Sequence, residues 1–336
     1  MFMIPERIRL NNRADEGNKE KDREFGANII GVGDNGREAV HCLLREGFKG
    51  MRWLGLHRNP QNRYPIGVDL IATYGSWAGI ENVMLPFGGE MPKSVLQFYR
   101  YRKRFFQPEK PSFVLADFAE SVGRDAAPVA AADSYAIAVV AIPFIEKIIA
   151  PNALEFIEAK LYWRFQSLCR HTSVVIAMDD DVPSRIGEAR NKAMAKRQSD
   201  FVGDLLHSIQ GGANAALHWQ EVEKFFSEPR RWGRCNLWRA WSSVAGDVRS
   251  AMADVRRVLS CGGALEEAKR VFLMITGKDG EFSLMEVQDV VDALTAALDE
   301  EAEVMLHVNC EKEFADGVRV NMAVHKEGKE SGKVEY

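Results

Sequence analysis

Long hydrophobic runs are missing from this chain of 336 residues. No stretch approaches the roughly 18 consecutive apolar residues that cross a bilayer as a helix. The opening Met1-Phe2-Met3-Ile4 turns to charge at once, so the apolar core of a signal peptide is lacking. Cysteine is sparse. Cys42, Cys169, Cys235, Cys261 and Cys310 are widely spaced and contain no CxxC pair. A disulfide scaffold is not built that way, and a reduced, cytoplasmic chain is the expectation. Cys169-Arg170-His171 and the pair His207 and His218 give no four-ligand set for zinc, so no metal site is expected. A surplus of one charge is absent too. Lys plus Arg number 44 and Asp plus Glu 48, a formal net charge of −4. That balance disfavours nucleic acid as a partner.

What is present is an ordinary globular composition, 46% hydrophobic and 27% charged. It excludes wholesale disorder. Residues 1–26 read as a flexible N-terminal arm, because 10–25 are polar and charged. From Ala27 onward strand and helix alternate. Asn28 to Val32 is a short apolar strand, and Ala39, Val40, Leu43 and Leu44 follow at helical spacing up to Gly47. Further strands are expected at 51–56, 112–116, 136–142 and 173–178, with helices at 92–106, from 126, and at 145–168. The unbroken apolar run 136–142 suits a parallel strand covered on both faces. Residues 57–90 are rich in Gly, Pro, Asn and Tyr and read as loop.

The expected fold class is therefore α/β, with a parallel-sheet nucleotide-type domain over 27–198. Phe201, Leu205, Leu206, Ile209, Ala213 and Leu217 line one face of a long central helix, 199–222. A smaller α/β second domain spans 223–326, opening with an aromatic and basic connector at 225–241. Its expected elements are helices at 246–260 and 284–298 and strands at 271–275, 302–308 and 317–324. Residues 327–336 read as a frayed tail.

Gly31-Val32-Gly33-Asp34-Asn35-Gly36 fits GxGxxG between a strand and a helix. Glycines let backbone approach a phosphate, and a helix N-terminus supplies N–H donors and a positive dipole. Gly31, Gly33, Asp34, Asn35 and Gly36 are therefore candidate nucleotide-binding residues. A dinucleotide-binding oxidoreductase would need an acid about twenty residues further on. Leu56-His57-Arg58-Asn59 stands there, which disfavours NAD, although Arg58 suits a 2′-phosphate. The segment from Asp279 to Glu286 imitates the second half of a calcium loop, but Ile275 and Gly277 occupy the first ligand positions. Asp179-Asp180-Asp181 reads as a loop and cap ahead of Pro183. Tyr99-Arg100-Tyr101-Arg102-Lys103-Arg104-Phe105-Phe106 alternates cations and aromatics, as does Arg230-Arg231-Trp232-Gly233-Arg234 with Trp238 and Trp241. Such faces suit a membrane surface or another protein, and plain packing is the simpler account of both.

The motifs in their order resemble the tubulin/FtsZ superfamily over about residues 27–326. FtsZ has GVGGGGGNAV where this chain has Gly31-Val32-Gly33-Asp34-Asn35-Gly36-Arg37-Glu38-Ala39-Val40. Gly47-Phe48-Lys49-Gly50 resembles the family's G-x-K-G, and Ala126-Ala127-Pro128-Val129 its AAPV at the head of a helix. Ala141-Ile142-Pro143-Phe144 resembles T-x-P-F, and Met252-Ala253-Asp254-Val255-Arg256-Arg257-Val258 resembles F-A-D-V-R-T-V. Ile275-Thr276-Gly277 and Val318-Arg319-Val320 match the second domain.

The resemblance implies a cytoskeletal or scaffold protein that binds GTP or GDP and self-associates head to tail. The departures fall on the active parts. Counted back from Ala126, the family's second loop GGGTGTG reads Ala119-Glu120-Ser121-Val122-Gly123-Arg124-Asp125. Gly123 and Arg124 complete the candidate nucleotide site, while Glu120 and Asp125 bring acid to it, as do Asp34 and Glu38 in the first loop. A carboxylate about 5 Å from a phosphate costs on the order of 1–3 kcal/mol at an effective dielectric near 20. The family motif N-x-D-F-A-D supplies carboxylates that reach the neighbour's nucleotide. Here Asp254 is kept as the candidate catalytic residue, and Ala251 stands where the other acid belongs. Losing a group that orients water costs orders of magnitude in rate. A pseudo-GTPase is therefore expected, with a dinucleotide-binding oxidoreductase using Gly31 to Gly36 as the runner-up and a non-polymerising adaptor as a further alternative.

Overall fold

A computed structural model of the chain describes residues 8–10, 25–57, 70–73, 83–84, 90–91, 109–120, 127, 135–142, 165, 167–169, 172–179, 188–210, 217–227, 236–260, 264–278, 280, 282–311, 314 and 317–326. Ile8–Leu10 form β1, Asn28–Val32 form β2, Arg52–His57 form β3 and Leu70–Thr73 form β4. Val83–Met84 (β5) and Glu90–Met91 (β6) pair as a small antiparallel ribbon within the stretch expected to be loop. Ser112–Asp117 (β7), Ala136–Ile142 (β8) and Val174–Asp179 (β9) follow. Strands β2, β7 and β8 are buried along their whole length, as apolar runs covered on both faces must be. Strands β4, β3, β2, β7, β8 and β9 lie side by side in parallel.

Helix α1 (Gly33–Arg45) packs Ala39, Val40 and Leu43 onto this sheet. Helix α2 (Glu188–Gln210) starts at Glu188 rather than at 199, because its apolar stripe already begins at Met194 and Ala195. Helix α3 (Trp219–Phe226) follows it and buries Val222, Phe225 and Phe226. The second half comprises β10 (Leu237–Ala245), α4 (Val248–Ser260), β11 (Ala268–Lys278), α5 (Leu284–Thr295), β12 (Glu303–Glu311) and β13 (Val318–Lys326). β13 runs antiparallel to β10 and β11, while β11 and β12 are parallel. Ser283 caps α5: its hydroxyl accepts from the Glu286 amide, and the Glu286 carboxylate accepts from the Ser283 amide at 2.7 Å. Glu286 thus serves the helix start and not a calcium loop.

Three expectations need correction. The connector 225–241 ends in a strand. β10 joins β9 in parallel and β13 in antiparallel fashion, so one eleven-stranded sheet runs through both halves of the chain. Trp238 and Trp241 are 0% and 1% exposed. They point into the two different cores on either side of β10, in keeping with the packing expected of them. Ile8–Leu10, assigned to the flexible arm, pair with β12 at the sheet edge. Cys169 is disulfide-bonded, whereas Cys42 and Cys310 keep their thiols. Wide spacing in sequence does not prevent a bond between residues that the fold brings together.

Candidate nucleotide site

Val32 ends β2, and Gly33 turns the chain into α1 with φ at +78°. That left-handed conformation favours glycine. Valine at the helix entrance has no side-chain acceptor, so the first-turn amides must find partners elsewhere. They find Glu120, just beyond β7. Asp34 N–H donates to Glu120 Oε2 at 2.8 Å, and Asn35 N–H donates to Oε1 at 2.9 Å. Both carboxylate oxygens thus lie where GxGxxG would seat a phosphate. Gly33 makes the approach possible, since a Cβ there would stand 2.0 Å from Glu120 Oε2. Gly36 serves a different end: a Cβ there would lie 2.3 Å from the Leu115 carbonyl, so it lets α1 press against β7.

Burial pushes the Glu120 carboxyl up to about 7; the Asn35 and Asp34 amides oppose that rise, and the charges of Asp117 and Asp34 add to it. Asp117, fully buried at the end of β7, pairs with Arg190 of α2 at 2.7 Å. It also accepts from the Ala119 amide at 2.7 Å. Asn35 Nδ2 donates to the Asn191 carbonyl at 3.1 Å. Gln198 Nε2 donates to the carbonyls of Ala116 and Val139 at 2.8 and 3.0 Å. Helix α2 therefore clamps the loop ends of β2 and β7. Sequence reasoning missed Arg190, Asn191 and Gln198. The available signal was a set of polar residues leading into the apolar stripe of a long helix.

Gly31 lies at the end of β2, and Gly33, Asp34, Asn35 and Gly36 form the first turn of α1 directly after it. Gly123, Arg124 and Asp125 lie outside the described residues, as do 99–106 and 230–234. Asp254 stands on α4, which packs on β10 and β13 rather than on the glycine turn. It accepts from Arg257 at 2.9 Å and from Trp241 Nε1 at 3.3 Å. Partial burial works against its ionisation, but hydrogen bonds from Arg257, Ser243 and Trp241 hold its carboxyl below the usual range. The Trp241 ring also carries the Arg197 guanidinium of α2, 3.8 Å from its centre. Ala251 is fully buried in the core beneath α4. Arg249 and Arg256 flank a shallow groove of about 200 Å³ between α4 and α5, floored by Met252 and Val290.

Neither a family model nor a curated protein matches this sequence. Solved structures match it along nearly its whole length. An empty FtsZ dimer from M. jannaschii aligns with a TM-score of 0.68 at 16% identity, covering 90% of this chain and 88% of that one. The chain has the FtsZ fold. CetZ from Methanosaeta thermophila shares it, with a TM-score of 0.63 and 12% identity over 91% of this chain and 87% of that one. CetZ2 from Haloferax volcanii, a GTPγS-bound protofilament, aligns at 0.55 and 15% identity over 92% and 95%. In this divergent FtsZ-like fold, the turn bearing Gly31 to Gly36 and the helix bearing Asp254 lie in the two halves that the sheet unites.

Proposed function

We propose that this is an FtsZ/CetZ-like cytoskeletal or scaffold protein that self-associates end to end, and whose GTP binding and hydrolysis are weakened or lost. The observation that carries the loss is the Glu120 carboxylate lying across the amides of Asp34 and Asn35. An incoming phosphate meets a negative charge where it needs donors. The buried Ala251 and the intramolecular partners of Asp254 favour the same reading, because a water-orienting acid must reach the neighbouring subunit. Assembly is supported by the similar structures, which include an FtsZ dimer and a CetZ2 protofilament. Head-to-tail contacts that do not close give filaments. A cytoplasmic location belongs to this proposal through the likeness to FtsZ and not through the cysteines, since Cys169 is disulfide-bonded.

Without a nucleotide cycle, the contact between copies depends on packing and charge. Asp34 and Glu38 of one copy would face Arg249, Arg256 and Arg257 of the next, although Arg249 and Arg257 would have to leave or share their pairs with Asp289 and Asp254. Exposed pairs contribute about 0–1 kcal/mol each and weaken with salt, so several must act together. Sedimentation at two ionic strengths, with and without GTP, tests this. Self-association should be indifferent to GTP, smaller at high salt and reduced by Arg256→Glu. Tight GTP binding with sustained phosphate release would overturn the loss of activity. A strictly monomeric protein at high concentration and low salt would overturn the scaffold.

A further inference from the structure

The first turn of α1 is a finished seat for an oxyanion. Two successive amides converge on one carboxylate at 2.8 and 2.9 Å, and Gly33 keeps the approach clear of side chain. What fills the seat is an acid from the far side of the turn, 86 residues away in sequence. Its neighbours are unfavourable. Asp34 of α1 and Asp117 of β7 both repel it, and Arg190 of α2 is paired with Asp117. A group built only to cap a helix gains nothing from burial beside two like charges.

We propose that Glu120 is an internal stand-in for a phosphate oxyanion, an autoinhibitory contact that closes the α1 seat in cis and yields it when its carboxylate is neutralised or removed. The inference rests on the functional reading above and names the regulation of that same site. The seat takes tetrahedral oxyanions, whether free or as the terminal group of a nucleoside diphosphate. The contact is poised rather than permanent, since burial, opposed by the two amides and reinforced by Asp117 and Asp34, sets the carboxyl to titrate at about 7. Among the described residues, the charged groups facing it are Asp34 from α1 and Asp117 from β7, the latter held by Arg190 from α2. Protonation weakens the two hydrogen bonds and removes the repulsion that Glu120 itself exerts on an incoming anion. The seat is therefore closed above pH 7 and opens below it.

Calorimetry on the full chain tests this with two probes: inorganic sulfate, whose charge is constant between pH 6 and 8, and GDP. Wild type should bind sulfate about tenfold more tightly at pH 6 than at pH 8, following the protonated fraction of Glu120. Glu120→Gln should bind sulfate equally at both pH values. Glu120→Gly should bind sulfate and GDP at pH 8 about tenfold or more tightly than wild type does. Equal binding by all three proteins, each with a native circular dichroism spectrum, would overturn the proposal and leave Glu120 a helix cap. If the glycine variant does not fold, the pH dependence of wild type against Glu120→Gln decides alone, and parallel profiles overturn the proposal. Sedimentation of the same samples separates the two readings. A monomeric wild type sinks the scaffold and leaves this contact standing, whereas variants without gain sink the contact and leave the scaffold.

Discussion

Glu120 and His307 make stability depend on pH in opposite senses. The native Glu120 carboxyl titrates at about 7, against 4.5 for an ordinary glutamate, because burial disfavours its charge. The native state therefore keeps a proton that the unfolded chain has lost. That contribution is whole below pH 4.5 and is lost as pH rises through 7, on the order of 3 kcal/mol in all. Burial holds His307 down at about 4. As pH falls below 6.5 the unfolded chain takes up a proton first, so this contribution is lost between 6.5 and 4. The windows overlap, and single variants separate them. Urea melts of Glu120→Gln should show stability rising more steeply between pH 4.5 and 7 than in wild type, because the His307 contribution is then unopposed; an unchanged slope would contradict the assignment. Gly33→Ala should destabilise by about 1–3 kcal/mol in the same melts, since it combines a positive φ with a Cβ placed on Glu120 Oε2.

Helix α2 is held to the second half of the chain by buried charge. Arg319 of β13 donates to Asp200 at 2.8 Å and through Nε to Asp204 at 2.9 Å, and Asn321 also donates to Asp204. The Phe314 ring lies 4.8 Å from the guanidinium. Burial raises the Asp200 carboxyl, and Arg319 and Lys196 oppose that. Removing one partner of such a set leaves an uncompensated buried charge, which costs about 3–5 kcal/mol. Arg319→Met should lower the unfolding free energy by that amount in urea. Arg257→Ala, which breaks only the exposed pair with Asp254, should cost less than about 1 kcal/mol. Comparable losses from both would refute the latch. Nothing in the sequence separated Arg319 from Arg257, since burial is a property of the assembled sheet.

The sheet is one piece across both halves, joined where Leu237 to Ala240 of β10 pair with Val175 to Met178 of β9. Trp238 lies at this junction against Phe225, Phe226 and the ring of His325. Shared strand pairing and a shared core couple the two halves energetically. Heating should therefore produce one transition, with tryptophan fluorescence and far-ultraviolet circular dichroism coinciding and the calorimetric and van't Hoff enthalpies equal. Two resolved transitions would show that the halves unfold independently.

Strand and helix were legible in the chain because hydrophobic period and glycine punctuation are local properties. The run from Asn28 to Val32, the turn at Gly33 and the repeat of Ala39, Val40 and Leu43 specify β2 and α1 with no reference to the rest of the molecule. The order of such motifs was enough to read the FtsZ-like fold, and the acid at Glu120 could be read as a departure in a glycine loop. What lay beyond the sequence was every relation between distant residues. Trp238 and Trp241 could be read as packed, but which core each enters was settled only when β10 took its place between β9 and β13. Glu120 looked like a charge beside an open phosphate site until folding set its two oxygens on the amides of Asp34 and Asn35. Local pattern determines which segments become elements, but desolvation and hydrogen bonding across 86 residues exist only once those elements are packed, so the tertiary structure alone decided what occupies the seat.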